Sequence, residues 1–317
     1  MIRSLGFCAI LAAATAQSDA FPSVLSGQAP SPTTPMVVFL AGFPDDTRSF
    51  DAVAPAFEGT HTVLKLALPG YEGAPISKWG ISFKVLIEKM HDAVEAQPHG
   101  DLYLVAHDWG AYLGLLYADN YPTEVAKLAL LDIGHIKMSD KQSLAEYVVG
   151  PTYQLFLAWC FVMDAIGLRP VAALAQMLFP WQWIGPLNHE PVLPTGVEQW
   201  SSAPDFKTCY PYFVLWTDLL LGRALLPAMP SMPTLFIYGT RKRMRFHTDR
   251  FLDELRERTD GSRSVALDCG HFMQAQKPDE VAAELTSFFE GRRTRSFHIP
   301  HEAEEASPEP DAARGEL

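Results

Sequence analysis

The sequence predicts an α/β fold: a mostly parallel β-sheet covered by helices on both faces, with a helical segment inserted between two of its strands. Three observations carry this. Short, unbroken apolar runs recur along the chain, and an unbroken run is what a strand buried on both faces requires. Between the runs lie stretches whose apolar residues fall at three- and four-residue spacing, the signature of a helix with one buried face. One long interval, 139–232, breaks the alternation, with many aromatic and Pro residues and no buried-strand run.

The elements follow in order. Met36–Ala41 (MVVFLA) is the first strong strand, then Thr62–Leu68, Leu102–Ala106, Leu128–Leu131, Thr234–Tyr238 and the shorter Val265–Leu267. Helices are expected at Ser82–Ala96, Ala111–Asn120, Arg250–Arg258 and Glu280–Phe289. Alternating strands and helices argue for an open sheet covered on both sides. Residues 36–138 and 233–294 form the core. Residues 139–232 then read as a cap over the carboxyl ends of the strands, where ligands of such sheets bind. Residues 17–35, rich in Ser, Pro, Thr and Gly, read as a linker. Residues 295–317, with acids at Glu302, Glu304, Glu305, Glu309, Asp311 and Glu316, read as a solvated, disordered tail.

Composition excludes several classes. The chain has 317 residues, 48% hydrophobic and 20% charged, which is globular and rules out disorder of the whole. A net charge of −12 argues against a nucleic-acid partner, which needs clustered Lys and Arg; the dense basic run Arg241–Lys242–Arg243 with Arg245 is short. The four cysteines lack any C-x-x-C spacing, so no zinc knuckle or redox pair is indicated, and no metal or cofactor is called for. No apolar run reaches the uncharged length of about 18–20 residues that a stable membrane span needs. At the N-terminus, Arg3, the apolar Leu5–Ala14 and the small residues of Ala14–Thr15–Ala16 match the layout of a cleaved secretory signal over 1–16. Ala20–Phe21–Pro22 resembles the cleavage context of plastid presequences, so plastid and cytoplasmic locations are the alternatives.

The chemistry concentrates in Val105–Ala106–His107–Asp108–Trp109–Gly110–Ala111, which joins a buried strand to a helix. Small residues at Ala106, Gly110 and Ala111 fit a turn so tight that the central side chain is thrust out above the sheet, the layout of a nucleophile elbow. The central residue here is Asp108. On this segment the chain resembles the α/β-hydrolase fold over about residues 36–290, in its branch of epoxide hydrolases and haloalkane or haloacid dehalogenases, which carry His-Asp-Trp-Gly at this turn. The resemblance implies an aspartate nucleophile and no cofactor.

It also implies the helpers such a nucleophile needs. Ala41–Gly42–Phe43–Pro44 resembles the family's His-Gly-x-Pro loop, so the backbone N–H groups of Phe43 and Trp109 are the expected oxyanion donors. Ala41 stands where the family has His, which removes a side chain that anchors the loop. His271, in Asp268–Cys269–Gly270–His271–Phe272 between the last strand and last helix, matches the catalytic base. His107 should point away from the site, and His247 precedes a helix as a candidate cap. The acid that orients the base has two family positions. The loop Gly239–Thr240–Arg241–Lys242–Arg243–Met244 after the cap offers no carboxylate, so the choice falls on Asp132, at the end of the strand before the cap.

The cap should decide the leaving group. An epoxide leaves an alkoxide that Tyr hydroxyls can stabilise. Pro151–Thr152–Tyr153–Gln154–Leu155 resembles the segment bringing the first cap tyrosine of epoxide hydrolases, and Tyr212 fits the second, with Tyr210 as near alternative. A halide would want indole or amide donors: Trp109 offers one, Phe43 replaces the usual Asn, and Trp181, Trp183, Trp200 and Trp216 could add another. The paired arginines of fluoroacetate-type enzymes are absent beside the nucleophile, where Trp109, Ala111 and Tyr112 stand. The expectation is therefore a small hydrophobic epoxide and water as reactants, with haloalkane dehalogenation the first alternative and a non-catalytic α/β-hydrolase-fold ligand receptor the second.

Overall fold

Period-two alternation along each strand, with both faces apolar, determines how the sheet is covered. In β2 (Met36–Leu40), Met36, Val38 and Leu40 enter one core while Val37 and Phe39 enter the other, and all five are fully buried. The same division recurs in β4 (Leu102–His107) and β5 (Val125–Leu131). With β1 (Ser23–Gly27), β3 (Thr62–Leu66), β6 (Thr234–Gly239) and β7 (Arg263–Leu267), they form a sheet in the order β1-β3-β2-β4-β5-β6-β7. Every neighbouring pair is parallel except β1 with β3. This computed structural model describes residues 19–135, 144–185 and 190–292. The proposed signal segment 1–16, the acidic tail 295–317 and the expected start of the cap at 139 lie outside them.

The core helices are α1 (Phe83–Glu95), α2 (Trp109–Asn120), α8 (Asp249–Glu257), α9 (Met273–Gln276) and α10 (Pro278–Phe289). Nearly all of α2 is buried, matching its nearly all-apolar sequence. Between β5 and β6 lie α3 (Leu144–Ala165), α4 (Arg169–Leu178), α5 (Trp181–Ile184), α6 (Thr195–Ser202) and α7 (Tyr210–Leu220), the helical segment expected there.

Two expectations change. Residues 17–35 are not simply a linker, because Ser23–Gly27 pairs antiparallel with β3 at the edge of the sheet. Its mostly exposed, weakly apolar residues carry no buried-strand signal, and its pairing is made by backbone groups, which composition does not report. His247 does not cap α8; Thr248 does, its hydroxyl accepting the N–H of Phe251, while the His247 ring packs on Phe236 and Tyr238. One described helix segment, Val148–Ala165 of α3, is long and apolar enough to cross a membrane by length and composition; Tyr153, Leu157, Cys160 and Phe161 on it pack into the core.

Candidate active site

The carboxyl ends of five neighbouring strands bring the site together. At the end of β4 the chain turns into α2 through Asp108, which adopts φ 53° and ψ −127°, a left-handed conformation that non-glycine residues rarely hold. Close packing enforces the turn. A Cβ on Gly110 would stand 2.4 Å from the Leu40 carbonyl oxygen, and one on Gly42 would stand 2.5 Å from the Trp109 nitrogen. No side chain fits at either position, so Asp108 is held beside the loop after β2. There the Phe43 N–H donates to Asp108 Oδ1 at 2.7 Å. Trp109 opens α2 next to it, its indole edge-on to Tyr212.

The loop survives the loss of a histidine at Ala41. Ala41 is buried and its N–H donates to the Leu66 carbonyl, while the Asp45 N–H donates to the Gly42 carbonyl at 2.8 Å. Backbone bonds hold what a side chain otherwise would. Deeper in the same loop Asp45 hydrogen-bonds Ser49, and burial pushes its carboxyl up to about 7.

His271 follows β7 as expected. Its Nε2 stands 3.4 Å from Asp108 Oδ2 and its Nδ1 hydrogen-bonds Asp132 Oδ2. Burial alone would make this imidazole a weaker base; the charge of Asp132 and hydrogen bonds to Asp108 and Asp132 outweigh burial and raise it to about 9. Asp132 is wholly buried at φ 68° just beyond β5. Burial opposes its charge, but Lys242 and His271 hold its carboxyl below the usual range. On α8, Asp249 pairs with Arg245, which precedes the helix, and Asp253 pairs with Arg256. His107 lies under His271, its Nε2 donating to the His271 carbonyl at 3.0 Å and its Nδ1 accepting from Gln274. Burial lowers its basicity to about 4, so it serves as a neutral support, pointing away from Asp108.

Two neighbours of the Asp132–His271 pair were not expected from the sequence. The side chain of Lys242, read there as part of a basic run, is almost wholly inaccessible, with Nζ 2.5 Å from Asp132 Oδ1. Glu190 of the cap accepts the backbone N–H of His271 at 3.1 Å and a hydrogen bond from Gln276. Neither leaves a sequence signal, since both depend on which loop meets the strand ends.

Two chambers diverge from Asp108. One, of about 310 Å³, is lined by Tyr112, Leu215, Trp216, Leu226 and Met244. The other, of about 480 Å³, is lined by Phe43, Trp181, Glu190, Trp200 and His271. Tyr153 and Tyr212, both buried, line both chambers beside Asp108, with ring centroids 6.1 Å apart. Burial raises both phenol pKa values, so both hydroxyls keep their protons. The near alternative, Tyr210, packs against Gly80 outside both chambers. Of the expected cap indoles, Trp181 donates to the Gln176 carbonyl and Trp200 to Thr208, and Trp183 is exposed. Trp216 keeps a buried N–H without a partner on the smaller chamber. A group of possible metal ligands among the described residues, His91, Glu95 and Glu124, lies by the amino end of β5, away from Asp108.

Known proteins resemble this chain along most of its length. The family model described as alpha/beta hydrolase fold matches residues 35–278. A fluoroacetate dehalogenase from a Burkholderia species is 26% identical over 284 residues, 82% of this chain and 88% of that protein. Epoxide hydrolase 1 of Caenorhabditis elegans is 21% identical over 271 residues, 82% of this chain and 66% of that protein. A solved epoxide hydrolase from Bacillus megaterium, in complex with an inhibitor, superposes with a TM-score of 0.59 at 20% identity, over 85% of this chain and 96% of that one. The matched span runs from the first parallel strand past His271, and the chain belongs to the alpha/beta hydrolase fold family, as a hydrolase.

Proposed function

We propose that the protein opens hydrophobic epoxides to diols through a covalent ester on Asp108. The observation that carries this reading is the set of groups around one carboxylate: a backbone donor on Oδ1, the His271 imidazole facing Oδ2, and two protonated tyrosines across the same space. Oδ2 attacks an epoxide carbon, the carbon–oxygen bond breaks, and Tyr153 and Tyr212 hydrogen-bond the departing oxygen and supply its proton. Oδ1 becomes the ester carbonyl. His271, having passed its proton back to the tyrosinate, is neutral and takes a proton from water, and the hydroxide adds to that carbonyl carbon. The Phe43 N–H, with that of Trp109, stabilises the resulting oxyanion, and its collapse releases the diol and restores the carboxylate. Asp132 keeps the imidazole oriented and stabilises its cation.

The cap supplies substrate class. A reacting centre between two largely apolar chambers suits an oxirane with one hydrophobic arm on each carbon. A second reading, haloalkane dehalogenation, draws support from the unpaired N–H of Trp216, a donor that a halide could use.

A single turnover in H₂¹⁸O with enzyme in excess tests the nucleophile. Ester hydrolysis puts the label into the peptide containing Asp108 and leaves the first product unlabelled. Label found only in product would mean direct attack by water, with Asp108 at most a general base. A wild type that turned over neither epoxides nor haloalkanes would favour the receptor reading.

A further inference from the structure

We propose that Lys242 is a positioning residue for the second half of the reaction: by neutralising Asp132 from behind, it lets His271 act as a base once Asp108 is esterified. The inference rests on the reading of Asp108 as nucleophile. Asp132 is shared, with Oδ2 on His271 Nδ1 and Oδ1 on Lys242 Nζ at 2.5 Å, and both charged side chains are essentially inaccessible. The ammonium also lies over the Phe246 ring, 4.9 Å from its centroid, so little solvent separates it from the carboxylate. Lys242 occupies the loop after β6, where the sequence reading looked for an orienting acid and found none. The two candidate positions thus hold an acid and its counter-cation.

The chemistry needs such a partner. In the free enzyme His271 faces two carboxylates, Asp108 through Nε2 and Asp132 through Nδ1, and both favour the imidazolium. Alkylation removes the Asp108 charge. What remains around the ring is Asp132, the neutral His107 at 4.5 Å between ring centroids, and Glu190 on the backbone N–H. A lone buried Asp132 would keep His271 protonated and unable to take a proton from water. With Lys242 against it, His271 faces an ion pair whose field is far weaker. On the far side of Lys242, His247 is held neutral by burial and by Lys242 itself, its basicity lowered to about 3, and Arg245 pairs with Asp249.

The test separates the two steps. Acid-quenched samples of wild type, Lys242→Met and Lys242→Gln reacting with a hydrophobic disubstituted epoxide are followed across pH by mass spectrometry of the Asp108 peptide. Ester formation should change by less than about threefold, because Oδ2 and the tyrosines are untouched. The acidic limb of ester hydrolysis should move up by about 1–2 pH units in both variants, so the ester accumulates at neutral pH and clears at high pH. Lys242→Arg, which keeps the charge, should return the limb toward wild type. A limb that stays in place, or hydrolysis depressed equally at every pH, overturns the proposal, as does failure of both neutral variants to fold, which makes the lysine purely structural. Absence of any ester in the wild type is a different result, and it removes the nucleophile reading instead.

Discussion

The sheet and the helical segment between β5 and β6, the proposed cap, solve burial in opposite ways. In β2, β4 and β5 almost every apolar side chain is buried on one face or the other, and the functional groups hang from backbone at strand ends. The cap is apolar inside and out. Among the described residues, exposed large hydrophobic side chains outside the cap are Val24, Leu25, Trp79 and Val85, and the rest lie from Val148 to Leu226. The sheet holds its charged groups on a backbone path that the packing around Gly42 and Gly110 restricts. The cap offers shape and two hydroxyls. On the proposed function, the difference gives bond-making to the sheet and choice of substrate to the inserted helices.

Breaking the sheet side should cost most. Asp108→Ala is expected to reduce diol formation to the uncatalysed background, since no other group can form the ester; a variant near wild-type rate would end the assignment. Asp132→Asn should slow turnover by roughly 10⁴, in line with triads whose acid becomes an amide, and mass spectrometry should find the ester accumulating. On the cap side, Tyr153→Phe and Tyr212→Phe should each slow ester formation by roughly 10²–10⁴ with an epoxide. With a haloalkane they should change it little, so a panel of both substrate types on both variants separates the two readings.

Smaller effects sharpen the contrast further. His271 is a stronger base in the folded protein than in an unfolded chain, where its pKa is about 6.5. The stability it contributes is therefore fully present below about pH 6.5 and lost as pH rises through about 9. Denaturant unfolding across that window should show the decline, and His271→Gln should flatten it. Leu130→Ala, fully buried on β5, should cost about 2–5 kcal/mol. Leu178→Ala, 73% exposed on the cap, should change stability by less than about 0.5 kcal/mol. A large loss at Leu178 would mean that the outer cap surface is packed against something in solution.

What could be read from the sequence alone was whatever depends on neighbours in the chain. Buried runs identified the parallel strands, and small residues around Asp108 identified the elbow, because a tight turn restricts its own flanks. His271 was legible from its place between the last strand and last helix. Asp132 was reached by family position and the absence of an acid in the loop after β6. Tertiary structure decided the rest. An edge strand at Ser23–Gly27 is made by backbone pairing, which leaves little mark on composition. The sequence favoured Tyr212 over Tyr210 by its distance from the next strand alone, and the direction of α7 puts the Tyr212 ring between the chambers and the Tyr210 ring against Gly80. Lys242 was only part of a basic run in the sequence, and its burial against Asp132 follows from two loops meeting at the carboxyl ends of β5 and β6, 110 residues apart in the chain. Charge pairing across such a distance has no local pattern, because the energy that selects it exists only after the strands have been laid side by side.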